Sequence, residues 1–206
     1  MLEIQLQEVS KRFQYEWIFK NLSLTIPFGT ACAVTGGNGS GKSTLLKCIA
    51  GAIPVSSGKI NFLNEGKSVP ESEWYSMLAI SAPYLELPEE FTLLELIQFH
   101  FKFKAPLSGI TPEELIQILY LDNHSHKQVS QFSSGMKQRV KLGLSIFSDV
   151  PLVLLDEPTS NLDKKGVSWY QDLIQNYQRN RTLIVCSNDP REYEFCSLRV
   201  STEEYK

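Results

Sequence analysis

The sequence lacks any long hydrophobic run. No segment approaches the roughly 20 apolar residues that cross a bilayer, and the longest aliphatic stretches, such as residues 152–155, have the length of a strand. Residues 1–5 alternate apolar and polar side chains, which is typical of neither a signal peptide nor a transit peptide. We therefore expect neither a membrane-spanning segment nor a targeting segment.

Cysteine is scarce, and an excess of basic charge is missing. The four cysteines form no CxxC pair, which favours reduced, mostly buried thiols in a cytosolic protein. Lys and Arg total 20 against 23 Asp and Glu, a net charge of −3, so no nucleic-acid partner is expected.

Hydrophobic residues make up 42% of the chain and charged residues 21%, which excludes disordered, collagenous and coiled-coil proteins. The 206 residues suit one domain, or one domain with an insertion.

The spacing of apolar residues predicts an α/β order of elements. Strands are predicted over residues 2–7, 22–26, 31–34, 59–62 (as an edge strand), 152–155 and 182–186. Helices are predicted over residues 43–50, after the capping residues Thr92, Thr111 and Ser133, and between the last two strands. This order indicates a parallel central sheet interrupted by a helical insertion near residues 86–147. Residues 202–206 are expected to form a frayed end.

A phosphate-binding loop is the strongest motif in the chain. Residues 36–43 fit the pattern G-x-x-x-x-G-K-[ST]. Such a loop turns backbone N–H groups toward a phosphate, and the helix after it presents its positive N-terminal end to the same anion. Lys42 is expected to reach the β- and γ-phosphates, and the Ser43 hydroxyl to hold Mg²⁺. The apolar strand before the loop and the helix after it argue against a chance match. The predicted nucleotide-binding residues here are Gly36, Asn38, Gly39, Ser40, Gly41, Lys42, Ser43 and Thr44.

Two adjacent carboxylates follow the apolar run at residues 152–155. Adjacent side chains at a strand end point in different directions, so Asp156 and Glu157 can serve different roles. Asp156 suits the Mg²⁺ shell, usually through water, and Glu157 suits the general base for an attacking water. A solvated strand end is the alternative, and the phosphate loop in the same chain weighs against it.

In their order and spacing, these motifs resemble the nucleotide-binding subunit of ABC transporters. The resemblance covers about residues 2–200 and includes Phe-Ser-Ser-Gly-Met-Lys-Gln-Arg at 132–139 and Leu-Asp-Glu-Pro-Thr-Ser-Asn-Leu-Asp at 155–163. The first segment matches the family signature LSGGQ loosely and is similar to exporter-type subunits for drugs, polysaccharides or haem. The implied fold is α/β: a P-loop NTPase core with a parallel central sheet, an N-terminal antiparallel β part and an inserted helical subdomain. Residues 1–206 would form a single ABC-type ATPase domain.

The resemblance implies a head-to-tail dimer with two ATP molecules at the interface. Ser133, Ser134 and Gly135 would bind the γ-phosphate held by the other subunit's phosphate loop, because a helix N-terminus with a free hydroxyl is an anion site. The alternative is that Ser133 merely caps its own helix. Asp163 ends a segment, residues 160–163, that resembles the family's loop across the dimer.

The resemblance also implies that an aromatic side chain near the start of the chain stacks on adenine. Phe13 lies where the family places that ring, and Tyr15 and Trp17 are nearby alternatives. A place in the core is a further possibility for each of the three.

The sequence departs from the family at two positions. The family has a Gln at the start of the helical insertion, contacting Mg²⁺ and the attacking water, whereas residues 80–86 contain none. The family also has a His on the γ-phosphate near the last strand, where this chain has Asn188. An Asn amide donates a hydrogen bond but carries no positive charge and relays no proton. We therefore expect Glu157 and Asn188 to be the catalytic pair, with hydrolysis slowed and nucleotide binding retained.

The predicted function is ATP hydrolysis with Mg²⁺ that powers a permease on another chain, from the cytoplasmic face of the membrane. The dimer partner is a second ATPase subunit, identical or different. The permease is expected to dock on the helical insertion and residues 83–87. One alternative is a regulatory subunit that binds ATP but hydrolyses it poorly. The other is a soluble ABC ATPase acting on nucleic acid or ribosomes, against which the acidic net charge argues.

Overall fold

Two β-sheets form the framework of the molecule. The computed structural model describes residues 1–178 and 180–206. The strands are β1 Leu2–Phe13, β2 Glu16–Ile26, β3 Ala31–Thr35, β4 Ser57–Asn64, β5 Lys67–Val69, β6 Leu78–Ser81, β7 Leu152–Asp156, β8 Thr182–Cys186 and β9 Leu198–Ser201. One sheet is antiparallel with the order β2-β1-β4-β5. The other is parallel with the order β6-β7-β8-β3-β9, as the α/β pattern of the sequence predicts.

Helices cover the parallel sheet and fill the segment between β6 and β7. They are α1 Lys42–Ile49, α2 Trp74–Met77, α3 Leu93–Phe101, α4 Pro112–Ile118, α5 Ser134–Ile146 and α6 Lys164–Tyr177. Short 3₁₀ turns occur at Glu71–Glu73, Asp122–His124, Val129–Gln131, Pro190–Glu192 and Thr202–Tyr205. No helix within the described part of the chain has the length and apolar character of a membrane span.

The predicted helix starts are confirmed by their capping hydrogen bonds. At α3, Thr92 Oγ1 accepts from Glu95 N at 3.3 Å while Glu95 Oε2 accepts from Thr92 N at 2.8 Å. Thr111 and Glu114 form the same reciprocal pair at α4. Each pair satisfies two backbone groups that the first turn of a helix leaves without partners.

Each central strand divides its side chains between two hydrophobic cores. In β3, Ala31 and Ala33 face the core formed with α3 to α6, whereas Cys32 and Val34 face the core formed with α1 and the antiparallel sheet. This alternation follows from the two-residue period of a strand. It explains why β3, β7 and β8 read as continuous apolar runs, since both of their faces are buried. All four cysteines are free and buried, as predicted.

Two sequence-based expectations about the β-structure are wrong. The strand predicted over residues 59–62 is not at an edge, because β4 pairs with β1 on one side and β5 on the other. Residues 202–206 are not frayed, because the turn Thr202–Tyr205 packs against the rest of the protein and Thr202 is fully buried. The strand β1 that pairs with one side of β4 is distant along the chain, whereas β5 on the other side follows β4 after two residues.

Candidate functional site

Three parallel strands place the predicted phosphate-binding loop and the acidic pair at one edge of the sheet. β3 leads into the glycine loop, β7 ends at Asp156, and β8 ends at Cys186, two residues before Asn188. Because parallel strands point the same way, their carboxyl ends and the loops after them meet. Neighbouring β6 ends in register with β7, with Ser81 opposite Leu155, so the loop after β6 leaves at the same edge.

The loop between β3 and α1 has the backbone that the glycine pattern predicts. Gly41 immediately precedes α1 with a φ of 104°, in the region that favours glycine. A Cβ atom there would lie 2.6 Å from Cγ2 of Ile18 on β2. Glycine at position 41 therefore lets the start of α1 approach β2, and its replacement would push the loop away.

A cavity of about 210 Å³ lies at the start of α1. It is lined by Ile18, Asn38, Gly39, Gly41, Lys42, Ser43, Thr44 and Glu157. The first N–H groups of a helix have no acceptor within the helix and attract anions. The structure thus brings most of the predicted phosphate-binding residues together with Glu157. Ile18 is a lining residue that the sequence reasoning missed.

Lys42 lies over the glycine loop. Its side chain is 5% exposed, and Nζ donates to the carbonyl oxygens of Gly36 at 2.8 Å and Gly37 at 3.0 Å. Phosphate oxygens make charge-assisted hydrogen bonds that are stronger than those to neutral carbonyls. These two bonds use two of the three donors of the ammonium group, which leaves the third for a phosphate oxygen.

Asp156 is buried beside Ser43. Both carboxylate oxygens are inaccessible and make no hydrogen bond of ordinary geometry within the described chain. Burial raises the pKa of the Asp156 carboxyl above its ordinary value, while the nearby Ser43 hydroxyl and the charge of Lys42 lower it. Carboxylate and hydroxyl oxygens are ligands that Mg²⁺ accepts, often together with water and phosphate oxygens. The residues present therefore fit the predicted ion.

Glu157 follows Asp156 in an unusual backbone conformation. Its φ is 43°, in the left-handed region, which costs a non-glycine residue about 1–2 kcal/mol. Its N–H donates to the Cys186 carbonyl at 2.9 Å, and its carbonyl accepts from Ser160 N at 3.0 Å. These bonds hold the turn that separates the two carboxylates, so that Asp156 is buried while Glu157 lines the cavity.

Asn188 reaches the phosphate loop. Its Nδ2 donates to Asn38 Oδ1 at 3.2 Å, across 150 positions of sequence. The structure thus places Asn188 next to a residue that lines the cavity, and its contact with a γ-phosphate stays a prediction. The side chain is exposed, so its amide can also turn toward a ligand.

The signature segment lies away from this cavity. Ser133 Oγ accepts from Met136 N at 3.3 Å and therefore caps α5, as the alternative reading predicted. Ser134 lines a separate hollow with Asn161, and a Cβ on Gly135 would lie 3.0 Å from the Asn161 carbonyl. Within one chain, the signature thus adjoins the loop after Glu157 rather than the phosphate loop.

Asp163 and the candidate adenine-stacking rings also lie outside the cavity lining. Asp163 Oδ1 accepts from Gly166 N at 2.8 Å and caps α6. Phe13, Tyr15 and Trp17 are 49%, 96% and 40% exposed at the β1–β2 hairpin, so none of them belongs to the core. Lys11 Nζ lies 4.9 Å from the centre of the Phe13 ring. The choice among the three rings stays a prediction.

A larger groove of about 780 Å³ lies between α1, β6, α3 and α5. Its charged lining is mainly basic, with Lys47, Lys104 and Lys141 against Glu86, and His100 also lines it. Burial lowers the pKa of Lys104, Lys141 and His100. The other lining residues are Ala50, Ala52, Ile53, Tyr75, Leu78, Ala79, Ile80, Tyr84, Leu85, Leu87, Leu144 and Ser145. The groove thus contains part of the predicted docking segment at residues 83–87.

Tyr84 connects this groove with the phosphate site. The centre of its ring lies 3.8 Å from Lys47 Nζ, which is one helical turn after Ser43 on α1. Burial and the negative charge of Asp156 raise the pKa of the Tyr84 hydroxyl. The four-residue spacing from Ser43 to Lys47 could have identified Lys47 from sequence, whereas Tyr84 carries no local signal.

Comparison with known proteins finds chains that are similar to this one in sequence and in fold. The model of the ABC transporter family matches residues 19–160. An uncharacterized ABC transporter ATP-binding protein of Bacillus subtilis, YybJ, is 32% identical over 190 residues, which cover 90% of this chain and 85% of that protein. The Nod factor export ATP-binding protein I of Burkholderia lata is 28% identical over 198 residues, or 93% and 64% of the two chains. A solved dimeric bacterial ABC transporter cassette has the same fold, with a TM-score of 0.80 at 23% identity over 97% and 94% of the chains.

Proposed function

This chain belongs to the ABC transporter family of ATP-binding proteins, and from that premise we propose that it hydrolyses ATP to power a separate membrane permease. The observation that supports hydrolysis is the single cavity shared by the glycine loop, Lys42, Ser43 and Glu157. It combines groups that bind phosphate with a carboxylate that can accept a proton.

Each group has a defined task in the proposed reaction. The N–H groups at the start of α1 and the Lys42 ammonium hold the β- and γ-phosphates in place. Glu157 accepts a proton from a water molecule, whose oxygen bonds to the γ-phosphorus as the bond to the β-phosphate oxygen breaks. The products are ADP and phosphate. Mg²⁺ held near Ser43 and Asp156 would supply positive charge against the charge on the phosphates.

In a single chain, the cavity lacks the signature residues that the family resemblance assigns to the γ-phosphate. The signature residues Ser133, Ser134 and Gly135 lie at the start of α5 and outside the cavity lining. A helix N-terminus there offers N–H groups to an anion, even with the Ser133 hydroxyl used as a cap. We therefore propose that a second ATPase subunit, identical or different, brings its signature to this chain's ATP, with the Asp163 loop at the same interface.

The permease is proposed to dock in the groove of about 780 Å³. The groove is wide and mainly apolar, and Lys47 in its lining lies on α1, the helix that begins at the phosphate loop. Such a partner would hold the subunit at the cytoplasmic face of the membrane. The proposed export direction rests on the signature variant at residues 132–139 and on the similarity to the Nod factor export protein of Burkholderia lata.

A slow, regulatory ATP-binding subunit is the second candidate. It is favoured by Asn188 beside Asn38, where a neutral amide takes the predicted place of an imidazole. Measured turnover of the purified protein separates the two candidates. Phosphate release at the level of Glu157→Gln would support the regulatory subunit, and release well above that level would support the ATPase.

Loss of Lys42 tests the phosphate site itself. We expect Lys42→Ala to weaken binding of a fluorescent ATP analogue at least tenfold, because it removes a charge-assisted contact worth about 1.5–3 kcal/mol. Equilibrium titration of both proteins with Mg²⁺ present provides the measurement. Lys164→Ala, an exposed lysine on α6, is the matched control. Affinity of Lys42→Ala within about twofold of wild type would contradict the assignment.

A further inference from the structure

The C-terminal turn packs against the back of the phosphate loop. Thr202 Oγ1 lies 2.8 Å from Ser40 Oγ and 3.2 Å from the Thr35 carbonyl oxygen. Thr202 is 0% exposed, so these contacts are shielded from water. They fix both the end of β3 and the middle of the loop that follows it.

Glu203 is joined to Lys42 through one peptide group. Glu203 Oε1 accepts from Gly37 N at 2.8 Å. The carbonyl of the same peptide group, Gly36 O, accepts from Lys42 Nζ at 2.8 Å. A carboxylate on the N–H side polarises the peptide and strengthens the hydrogen bond at its carbonyl. The orientation of this peptide, and with it the position of Lys42, therefore depends on Glu203.

The two glycines of this peptide leave room for the turn. A Cβ atom on Gly36 would lie 2.7 Å from Thr202 Oγ1, and one on Gly37 would lie 3.2 Å from Glu203 Oε1. Gly36 also has a φ of 137°, which side chains rarely permit. The loop and the turn are thus fitted to each other at close range.

Neither Thr202 nor Glu203 lies in the part of the chain that the family model matches, residues 19–160. We propose that Thr202 and Glu203 form a clasp that holds the phosphate loop in its nucleotide-binding shape, with Glu203 as a positioning residue for Lys42. This inference rests on the proposed ATP site. A loop already held in shape loses less conformational freedom when nucleotide binds, so the clasp raises affinity.

The test is titration of the full chain with N-methylanthraniloyl-ATP in the presence of Mg²⁺. Glu203→Ala is expected to weaken binding about five- to tenfold, less than a fully buried charge-assisted hydrogen bond would give, because the Glu203 side chain is exposed to water. Glu203→Gln keeps an acceptor oxygen at the same place and is expected to recover most of the affinity. Glu204→Ala removes the same charge one residue further along, at an exposed side chain, and is expected to bind as wild type does.

The steady-state constants and melting temperatures separate positioning from a contribution to folding alone. The clasp predicts a raised KM for ATP in Glu203→Ala with a smaller change in kcat, and a melting temperature close to that of Glu204→Ala. Binding by Glu203→Ala within twofold of wild type, or tighter than wild type, would overturn the inference. So would an affinity loss that Glu203→Gln fails to recover, or one that follows the melting temperature across all variants.

Failure of the clasp and failure of the proposed function look different in the same experiment. If wild type binds the analogue, Lys42→Ala does not, and Glu203→Ala matches wild type, the clasp alone is refuted. If wild type and Lys42→Ala bind equally poorly, the ATP site itself is refuted, and the clasp with it.

Discussion

At the scale of single residues, the turnover expected of this protein depends most on Asn188. Its amide donates to Asn38 at 3.2 Å, so the side chain is within reach of the phosphate loop. An amide can orient a phosphate oxygen but cannot take up or release a proton in the reaction. In the proposed mechanism Glu157 is therefore the base, and Asn188 would offer a neutral donor.

We expect Asn188→His to speed ATP hydrolysis by roughly tenfold or less. Positioned acid–base groups are typically worth about 10²–10⁴-fold, but Glu157 already supplies the base, and residues 80–86 contain no Gln to hold the attacking water. Steady-state phosphate release is the measurement, with Glu157→Gln as the blank. Equal rates for wild type and Asn188→His, both well above the blank, would show that another residue senses the γ-phosphate.

At the scale of secondary-structure elements, α3 is tied to the end of α5 through a partly buried histidine. His100 Nε2 lies 2.9 Å from Ser148 Oγ, and Ser148 in turn donates to the Leu144 carbonyl at 2.6 Å. Burial lowers the pKa of His100, and the charge of Lys104 lowers it further, while the Leu144 carbonyl raises it. The folded protein therefore favours the neutral imidazole of His100 more than the unfolded chain does.

The sign of the resulting pH dependence follows from proton counting. Below the ordinary histidine pKa of 6.5, the unfolded chain binds a proton at His100 that the folded protein resists. The contribution of His100 to the free energy of unfolding is therefore fully present above pH 6.5. It is lost as the pH falls from 6.5 toward the lower pKa that His100 has in the folded protein. We expect urea midpoints to fall more for wild type than for His100→Gln when the pH drops from about 7.5 to about 5.5. Parallel midpoints for the two proteins would contradict this.

At the scale of the whole molecule, two complementary surfaces lie apart on one chain. The phosphate loop and Glu157 share one cavity, whereas Ser134 lines a different hollow beside Asn161. A head-to-tail pair would bring each cavity against the other subunit's signature, and ATP would then belong to both subunits.

Glu157→Gln is expected to trap the ATP-bridged dimer. The amide keeps the shape of the carboxylate but cannot accept the proton from water, so bound ATP persists. It also removes a negative charge next to the phosphates. Size-exclusion chromatography with Mg-ATP should shift this variant from monomer toward dimer, while Lys42→Ala stays monomeric. A Glu157→Gln protein that remains monomeric at high concentration would show that pairing needs the permease or a different ATPase chain.

The sequence alone determined the features that depend on neighbouring residues. The loop at 36–43, the acidic pair and the capping residues Thr92 and Thr111 are local patterns, because their chemistry is set within a few positions. Central strands were also predictable, since burial on both faces demands a continuous apolar run. These patterns were enough to predict the parallel sheet and to place the glycine loop and the acidic pair at its edge.

Only the tertiary structure decided which distant residues meet at that site. Ile18 lines the cavity from another sheet, and Glu203 reaches Gly37 across 166 positions. Hydrogen bonds of this kind depend on how the sheets and the chain end are brought together, and a short polar or alternating segment carries no sign of its eventual partner. The glycine loop was therefore predictable from its own residues, while the clasp that holds it became visible only in the folded chain.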